Sequence, residues 1–290
     1  PFTPGALAAA LQTQPQSLKR PLNELAGYSL LARTGPRYQL KHALIHTYAR
    51  ENHSATDDAL QGLADFYIDF AEEHSGHGLQ GYAHLDPDRV HILQTLTACR
   101  DRRLWEPVRK LVWAIHAYLD IQGHWAERRK VLHAGVDAAR GLEDRDEEGK
   151  FLGNLGIAYA VLGKMEKAID HHQQALAIQR EIGNRKGEGS DLGNLGNAYY
   201  VLGQMEKAID HYQQSLAISR EIGDRRNEGN WLGNLGLAYR ALGQMEKAID
   251  HYQQALAISR EIGDRRGEGS DLGNLEIGRA SCRERVYCEV

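Results

Sequence analysis

Apolar residues recur through the second half of the chain at helical spacing. Leu155, Tyr159 and Leu162 fall at i, i+4 and i+7. After a break at Gly163 the stripe resumes through Met165, Ala168, Ile169, His172 and Leu176. Gly163 stands where a helix C-cap takes a left-handed residue, and Gly183 followed by Asn184 ends a second helix and offers an N-cap to the next. The pattern predicts two antiparallel helices joined by a short turn. It then returns: Gly153–Gly189 recurs almost unchanged at Gly193–Gly229 and at Gly233–Gly269, a step of forty residues each time. A period of that length marks a solenoid, because one helix pair cannot bury its apolar face alone and the copies must stack. Gly156, Gly196 and Gly236 fall inside a predicted helix, where glycine costs about 1 kcal/mol against alanine. Its return in every copy predicts a close helix crossing, with Ala168, Ala208 and Ala248 as small residues on the second helix.

The flanking regions read differently. Residues 104–149 are a worn copy of the repeat: Gly123, Arg145 and Gly149 lie forty before Gly163, Arg185 and Gly189, while Trp113, Tyr118 and Trp125 bring bulk. Residues 54–103 read as a helical connector. An amphipathic run over 59–73 carries Leu60, Leu63, Ala64, Tyr67 and Phe70 on one face. A glycine-rich break follows at 74–81, and Asp86-Pro87-Asp88 opens a helix through Leu93 and Leu96. In residues 1–53, Leu7, Leu11, Leu18, Leu22 and Leu25 predict two or three short helices. Tyr28–Leu31 and Arg37–Leu40 flank Thr34-Gly35-Pro36 as a hairpin, and helix returns over His42–Glu51. Helices followed by a two-stranded wing describe a small winged-helix-like domain. The solenoid itself is expected over 150–275, as three full copies and a truncated fourth. After Leu275 the period calls for glycine and meets Glu276, and residues 276–290 carry no apolar stripe. The fold class expected is all-α.

Charge and composition narrow the function more than they define it. A net charge of −4 is too small to steer the protein to nucleic acid, and Lys19, Arg20, Arg37, Lys41 and Arg50 are too scattered for a basic recognition helix. No run is long and apolar enough for a transmembrane helix. Three cysteines, Cys99, Cys282 and Cys288, make no disulfide framework, and a cytoplasmic setting is the expectation. No GxxxxGK[ST] phosphate loop, HExxH or paired CxxC occurs. The fourteen histidines include the i, i+4 pair His42/His46 and adjacent His171-His172, yet no cysteine or carboxylate joins them at ligand spacing. His172 occupies the position of Tyr212 and Tyr252, which marks it as packing. No metal, no cofactor and no enzymatic activity are expected.

Leu155-Gly156, Tyr159, Ala168 and Ala175, at their mutual spacing, resemble the tetratricopeptide repeat (TPR). The extra length over the usual repeat resembles the variety found in kinesin light chains and G-protein-regulator scaffolds. The run SLLARTGPRYQLKHALIHTYARE, 29–51, resembles the winged-helix segment of STAND signalling NTPases, which include the NB-ARC family. That resemblance implies an NTPase domain elsewhere in a full-length chain, and a nucleotide-sensing role for His42 in such a parent. EIGRASCRERV, 276–286, resembles the translation of a sequencing-adapter read-through, and 276–290 are set aside as a non-native tail.

The TPR resemblance places the first helix of each pair along a concave groove that takes a protein or peptide. Asn154, Asn194, Asn234 and Asn274 then fall on that face, one per repeat. A carboxamide both donates and accepts, which suits the backbone of an extended peptide. A turn further lie Ile157, Asn197 and Leu237, then Ala160, Tyr200 and Arg240. Arg185, Arg225 and Arg265 at the repeat junctions are expected to add an acid-preferring rim. The alternative reading makes the asparagine ladder a tie between neighbouring repeats. Two functions follow: the TPR sensor or scaffold arm of a STAND-type ATPase, or a free-standing TPR adaptor. The truncated fourth copy adds an expectation of self-association.

Overall fold

The computed structural model of the protein describes residues 2–27, 30–40, 56–75 and 78–288. The chain divides into two compact units, Pro1–Asp144 and Arg145–Val290.

The first unit opens with α1 (Pro4–Ala10), capped by the Thr3 hydroxyl, which accepts from the Ala6 N–H, and α2 (Lys19–Gly27). Strands β1 (Leu31–Thr34) and β2 (Arg37–Leu40) pair antiparallel, Leu31 opposite Leu40 and Thr34 opposite Arg37. The turn between them holds Gly35 at φ 60°, the left-handed conformation expected of the glycine in Thr34-Gly35-Pro36. Phe2 bridges to Tyr38 beside this hairpin, and Leu22, Leu31 and Tyr38 form its small core. His42 and His46 lie outside the described residues.

Helix α3 (Asp57–Ser75) buries Leu60, Ala64 and Tyr67 as the apolar stripe requires, and adds Ile68 and Ala71. The glycine-rich break is shorter than its composition predicts, since α4 (Gly78–Leu85) starts inside it. A 3-10 turn over Asp86–Asp88 leads into α5 (Arg89–Asp101). Arg37 of the hairpin makes a two-pronged ion pair with Asp88, its Nη1 at 2.8 Å from Oδ1. Cys99 is fully buried, and that burial pushes its thiol up to about 11, so it is a packing residue rather than a nucleophile. The worn repeat appears as α6 (Trp105–Ile121) packed on α7 (Trp125–Gly141).

The second unit is a run of helix pairs: α8 (Arg145–Val161) with α9 (Met165–Glu181), α10 (Arg185–Val201) with α11 (Met205–Ile222), and α12 (Arg225–Ala241) with α13 (Met245–Glu261). A last helix, α14 (Arg265–Cys288), follows. Each structural repeat therefore starts at an arginine. The boundary drawn at 149/150 from glycine spacing cuts through α8, because helix caps and not internal glycines define the unit. Asn184 and Asp224 cap α10 and α12 by accepting from the N–H groups of Gly187 and Asn227 at 3.1 Å. Gly163, Gly183, Gly203, Gly223 and Gly243 all have φ between 70° and 74°, closing the turns as predicted.

The mid-helix glycines are where the helices cross. A Cβ on Gly156 would lie 2.5 Å from His172, one on Gly196 2.5 Å from Tyr212, and one on Gly236 2.4 Å from Tyr252. The large ring on the second helix fills the space that glycine leaves on the first, and Ala168, Ala208 and Ala248 are fully buried nearby. The backbone of 276–288 continues the α14 helix although the forty-residue phase breaks at Glu276, and a Cβ on Gly278 would lie 3.2 Å from Ile249. Among the described residues, no helix is long and apolar enough to cross a membrane.

Candidate functional site

Burial of Leu155, Leu195 and Leu235 against the second helices turns the preceding asparagines outward. Asn154, Asn194, Asn234 and Asn274 are all half-buried on the first helices, one per repeat. A cavity of about 190 Å³ between α8, α9 and α10 is lined by Ile157, Val201, Asn194, Asn197 and His172. A second, of about 260 Å³, lies between α12, α13 and α14, with Asn234, Leu237 and Asn274 on its wall. Asn194, Asn234 and Asn274 therefore border space between successive first helices.

The rungs are not equivalent. Asn154 donates to the Lys150 carbonyl of its own helix at 3.0 Å. Asn234 donates across to Asn197 Oδ1 at 3.1 Å, and Tyr212 donates to that same oxygen at 2.8 Å. Asn197 thus joins two repeats and satisfies a buried phenol. Asn194 makes no side-chain hydrogen bond among the described residues, so its carboxamide is open to a ligand. Tyr200 and Arg240 are half-buried on the same helices.

The junction arginines Arg185 and Arg225 have carboxylate partners. Arg185 binds Glu188 and reaches Glu221 Oε1 with Nε at 3.0 Å. Arg225 binds Glu228 and reaches Glu261 at 3.0 Å. Arg180 and Arg220 reach the same Glu188 and Glu228 from the preceding second helix, at 2.8 and 2.9 Å. Burial acts to raise the Glu188 pKa, but hydrogen bonds from Arg180 and Arg185 outweigh it and hold it below the usual value. Each nearly buried glutamate sits in the first turn of a helix and each Arg180-type residue in the last turn, so the macrodipoles favour the arrangement. Arg185 and Arg225 are thereby held in a ladder that ties the repeats together. Arg265 repeats the position in an exposed setting.

On another edge, Tyr159 and Tyr199 stack on His171 and His211 while Tyr239 lies tilted against His251, with centroids 5.0–5.2 Å apart. Lys167, Lys207 and Lys247 lie over the same rings at 5.1–5.7 Å. Inside the stack His172 Nδ1 meets Asp191 Oδ1 at 3.1 Å with both side chains buried. Burial pushes the Asp191 carboxyl up, and the His172 contact only partly offsets it. This agrees with His172 as a packing residue.

Sequence reasoning passed over Lys186, Arg226 and Arg266, each one residue beyond an expected rim arginine. Arg226 and Arg266 line the 260 Å³ cavity, and no carboxylate lies within 4.0 Å of either among the described residues. A step of one residue turns about a quarter of the way round a helix, enough to move a side chain from the tied edge to the open face. The differences between copies, not their identities, carry the signal that could have found these residues.

A tetratricopeptide-repeat family model matches residues 147–200 and 190–261. The matched segment covers the helix pairs from α8 to α13, which are repeats of the tetratricopeptide kind. Solved structures of similar fold include BtubC (BKLC) from P. vanneervenii, 17% identical with a TM-score of 0.56, over 86% of this chain and 90% of that one. RapI in its apo form is 16% identical with a TM-score of 0.60, over 83% of this chain and 65% of RapI. A Rap protein complexed with Competence and Sporulation Factor is 16% identical with a TM-score of 0.56, over 85% of this chain and 66% of that one. At such identities the likeness is one of fold. No curated protein matches the chain.

Proposed function

We propose that the first-helix face of the repeats is a concave groove that binds an extended peptide or protein segment. The asparagine column would read the ligand's backbone. The observation that carries this is the placement of Asn194, Asn234 and Asn274 on cavities between successive first helices, with Asn194 free to donate and accept. Asn154 and Asn234 donate exposed bonds that a ligand can replace, while Asn197 also serves the stack. Tyr200 and Arg240 would flank the ligand. The Rap protein described with its factor bound supports binding as a use of this kind of fold. Arg185 and Arg225 are poor ligand groups on this reading, because their carboxylate partners already neutralise them, which leaves Arg265 as the exposed member of that column.

In a full-length context, we infer that the chain serves as the winged-helix and TPR arm of a STAND-type signalling ATPase in the cytoplasm. Helices followed by the β1–β2 hairpin support this reading, with His42 in its sensing role only beside an NTPase domain. The resemblance of 276–290 to an adapter read-through keeps those residues out of the proposed surface.

The test is a peptide selected by phage display against the full chain. Its affinity is measured by calorimetry for wild type and for Asn154→Ala/Asn194→Ala/Asn234→Ala, alongside the melting temperature. Groove binding predicts a loss of about 1.5–4.5 kcal/mol, three net hydrogen bonds at about 0.5–1.5 kcal/mol each, with the fold retained. Early unfolding without specific loss of binding would mean that the ladder only ties the repeats.

A further inference from the structure

The copies agree closely over their second helices and differ more over their first. The second helices Met205–Asp224 and Met245–Asp264 are identical except at Ser215, which becomes Ala255. The first helices that precede them differ at the buried Asp191/Trp231, at Gly187/Asn227 and Val201/Ala241, and at four further positions, Lys186/Arg226, Ser190/Asn230, Asn197/Leu237 and Tyr200/Arg240. These four positions stand at i, i+4, i+11 and i+14, so they share one helical face. Drift at exposed sites does not explain the pattern. Glu206, Lys207, Asp210 and Glu221 are at least as exposed on the second helix and are retained in the next copy as Glu246, Lys247, Asp250 and Glu261. The divergent face is the one that carries the asparagine column.

The divergence has a direction. Asp146 in the first repeat becomes Lys186, then Arg226, then Arg266. At the start of the series Asp146 is occupied by Lys150 at 2.6 Å, and Ile157 and Ala160 follow it, so that end is neutral and partly apolar. At the other end Arg226 and Arg266 line one cavity with Asn230, Asn234, Ser270 and Asn274. Two carboxylates also border it, and each accepts a hydrogen bond from its wall and not from an arginine. Asp264 accepts from the Gly267 N–H at 3.0 Å as the cap of α14, and Asp271 accepts from the Ser259 hydroxyl at 2.9 Å. Every other arginine near the repeat junctions from Arg145 to Arg225 has a glutamate partner. The two in the cavity do not.

Resting on the groove reading above, we propose that the ligand is a peptide with acidic side chains at one end, bound so that its carboxylates meet Arg226 and Arg266 while its neutral, partly apolar end lies along α8. Invariant asparagines would hold the backbone and the divergent positions would read the side chains. Repeat order then sets the direction in which the peptide lies. All the residues involved precede Glu276.

The test uses two pools of short fluorescent peptides of matched sequence, one containing Glu and Asp and the other Gln and Asn in their place, with anisotropy as the readout. Full-length chain is compared with Arg226→Glu/Arg266→Glu and with Lys167→Glu/Lys207→Glu, which makes the same charge change at the tyrosine-stacked edge. The wild type should prefer the acidic pool. The Arg226/Arg266 variant should lose roughly tenfold or more in affinity for it, and the Lys167/Lys207 variant should stay close to wild type. Equal binding of the two pools, or equal losses in the two variants, would overturn the proposal. If the Asn154/Asn194/Asn234 variant weakens both pools while Arg226→Glu/Arg266→Glu weakens neither, the groove stands and its acidic preference falls. If the acidic pool is lost only with Lys167/Lys207, both fall.

Discussion

Tyr212 donates a 2.8 Å hydrogen bond to Asn197, and this contact has no counterpart one repeat later. Tyr252 occupies the position of Tyr212 with its hydroxyl buried, but Leu237 stands where Asn197 would be, and that hydroxyl finds no partner among the described residues. Two nearly identical crossings therefore differ by one buried hydrogen bond.

Exchanging these residues should show it. Asn197→Leu orphans the buried Tyr212 phenol and should destabilise the protein by about 1–3 kcal/mol. Leu237→Asn supplies Tyr252 with an acceptor, and the gain of about 0.5–1.5 kcal/mol should offset the lost apolar contact. The second variant should unfold in urea at or above the wild-type midpoint. If both variants fall alike, the hydrogen bond does not govern this site.

Glycines at the crossings and on the last helix should respond with opposite sign. Gly196→Ala drives a methyl to 2.5 Å from the Tyr212 ring, at a cost of about 1–3 kcal/mol in overpacking against about 1 kcal/mol gained in helix propensity. Gly269→Ala meets nothing within 4 Å and should stabilise α14 by about 0.5–1 kcal/mol. Thermal melts of the two variants decide the matter, and a stabilised Gly196→Ala would refute the close crossing.

The arginine–glutamate ladder sets the acid limb of stability. The Glu188 pKa is held below its ordinary value of 4.5, so the folded state binds this proton less readily than the unfolded chain. Its contribution is complete above the ordinary glutamate range and is lost as pH falls through the depressed folded value. Glu188→Gln should lower the melting temperature near neutrality and flatten its decline in acid. An acid limb as steep as wild type would assign that loss to other carboxylates.

Leu152, Leu192 and Leu232 are at most 2% exposed, whereas Leu272, at the same position of α14, is 39% exposed. An uncovered apolar face on the last helix favours self-association. Light scattering should show mass rising with concentration, and Leu272→Glu should suppress the rise. A wild-type monomer at high concentration would count against it.

Much of this architecture could be read from the residues. The forty-residue period, the turn glycines and the Gly196-type crossings all follow from local rules that each copy repeats. The site was only half legible for the same reason. Recent copying repeats every residue, so an invariant Asn194 or Arg185 says little about its role, and the structure separates them: Asn194 faces a cavity and Arg185 binds Glu188 and Glu221. The phase of the unit was also missed, because the most regular glycines sit inside helices and not at their ends. The continuation of α14 past Glu276 could not be foreseen from a segment without an apolar stripe.

The most direct test of the groove is the side-chain amide region of a 15N-correlated NMR spectrum of the full chain, titrated with a display-selected peptide. Binding along the first helices predicts saturable shifts of the Asn154, Asn194 and Asn234 carboxamide signals, with the Gln213 carboxamide, which donates to Tyr239 on the other edge, unmoved. Shifts confined to that edge, with all three carboxamides in place at saturation, would contradict it.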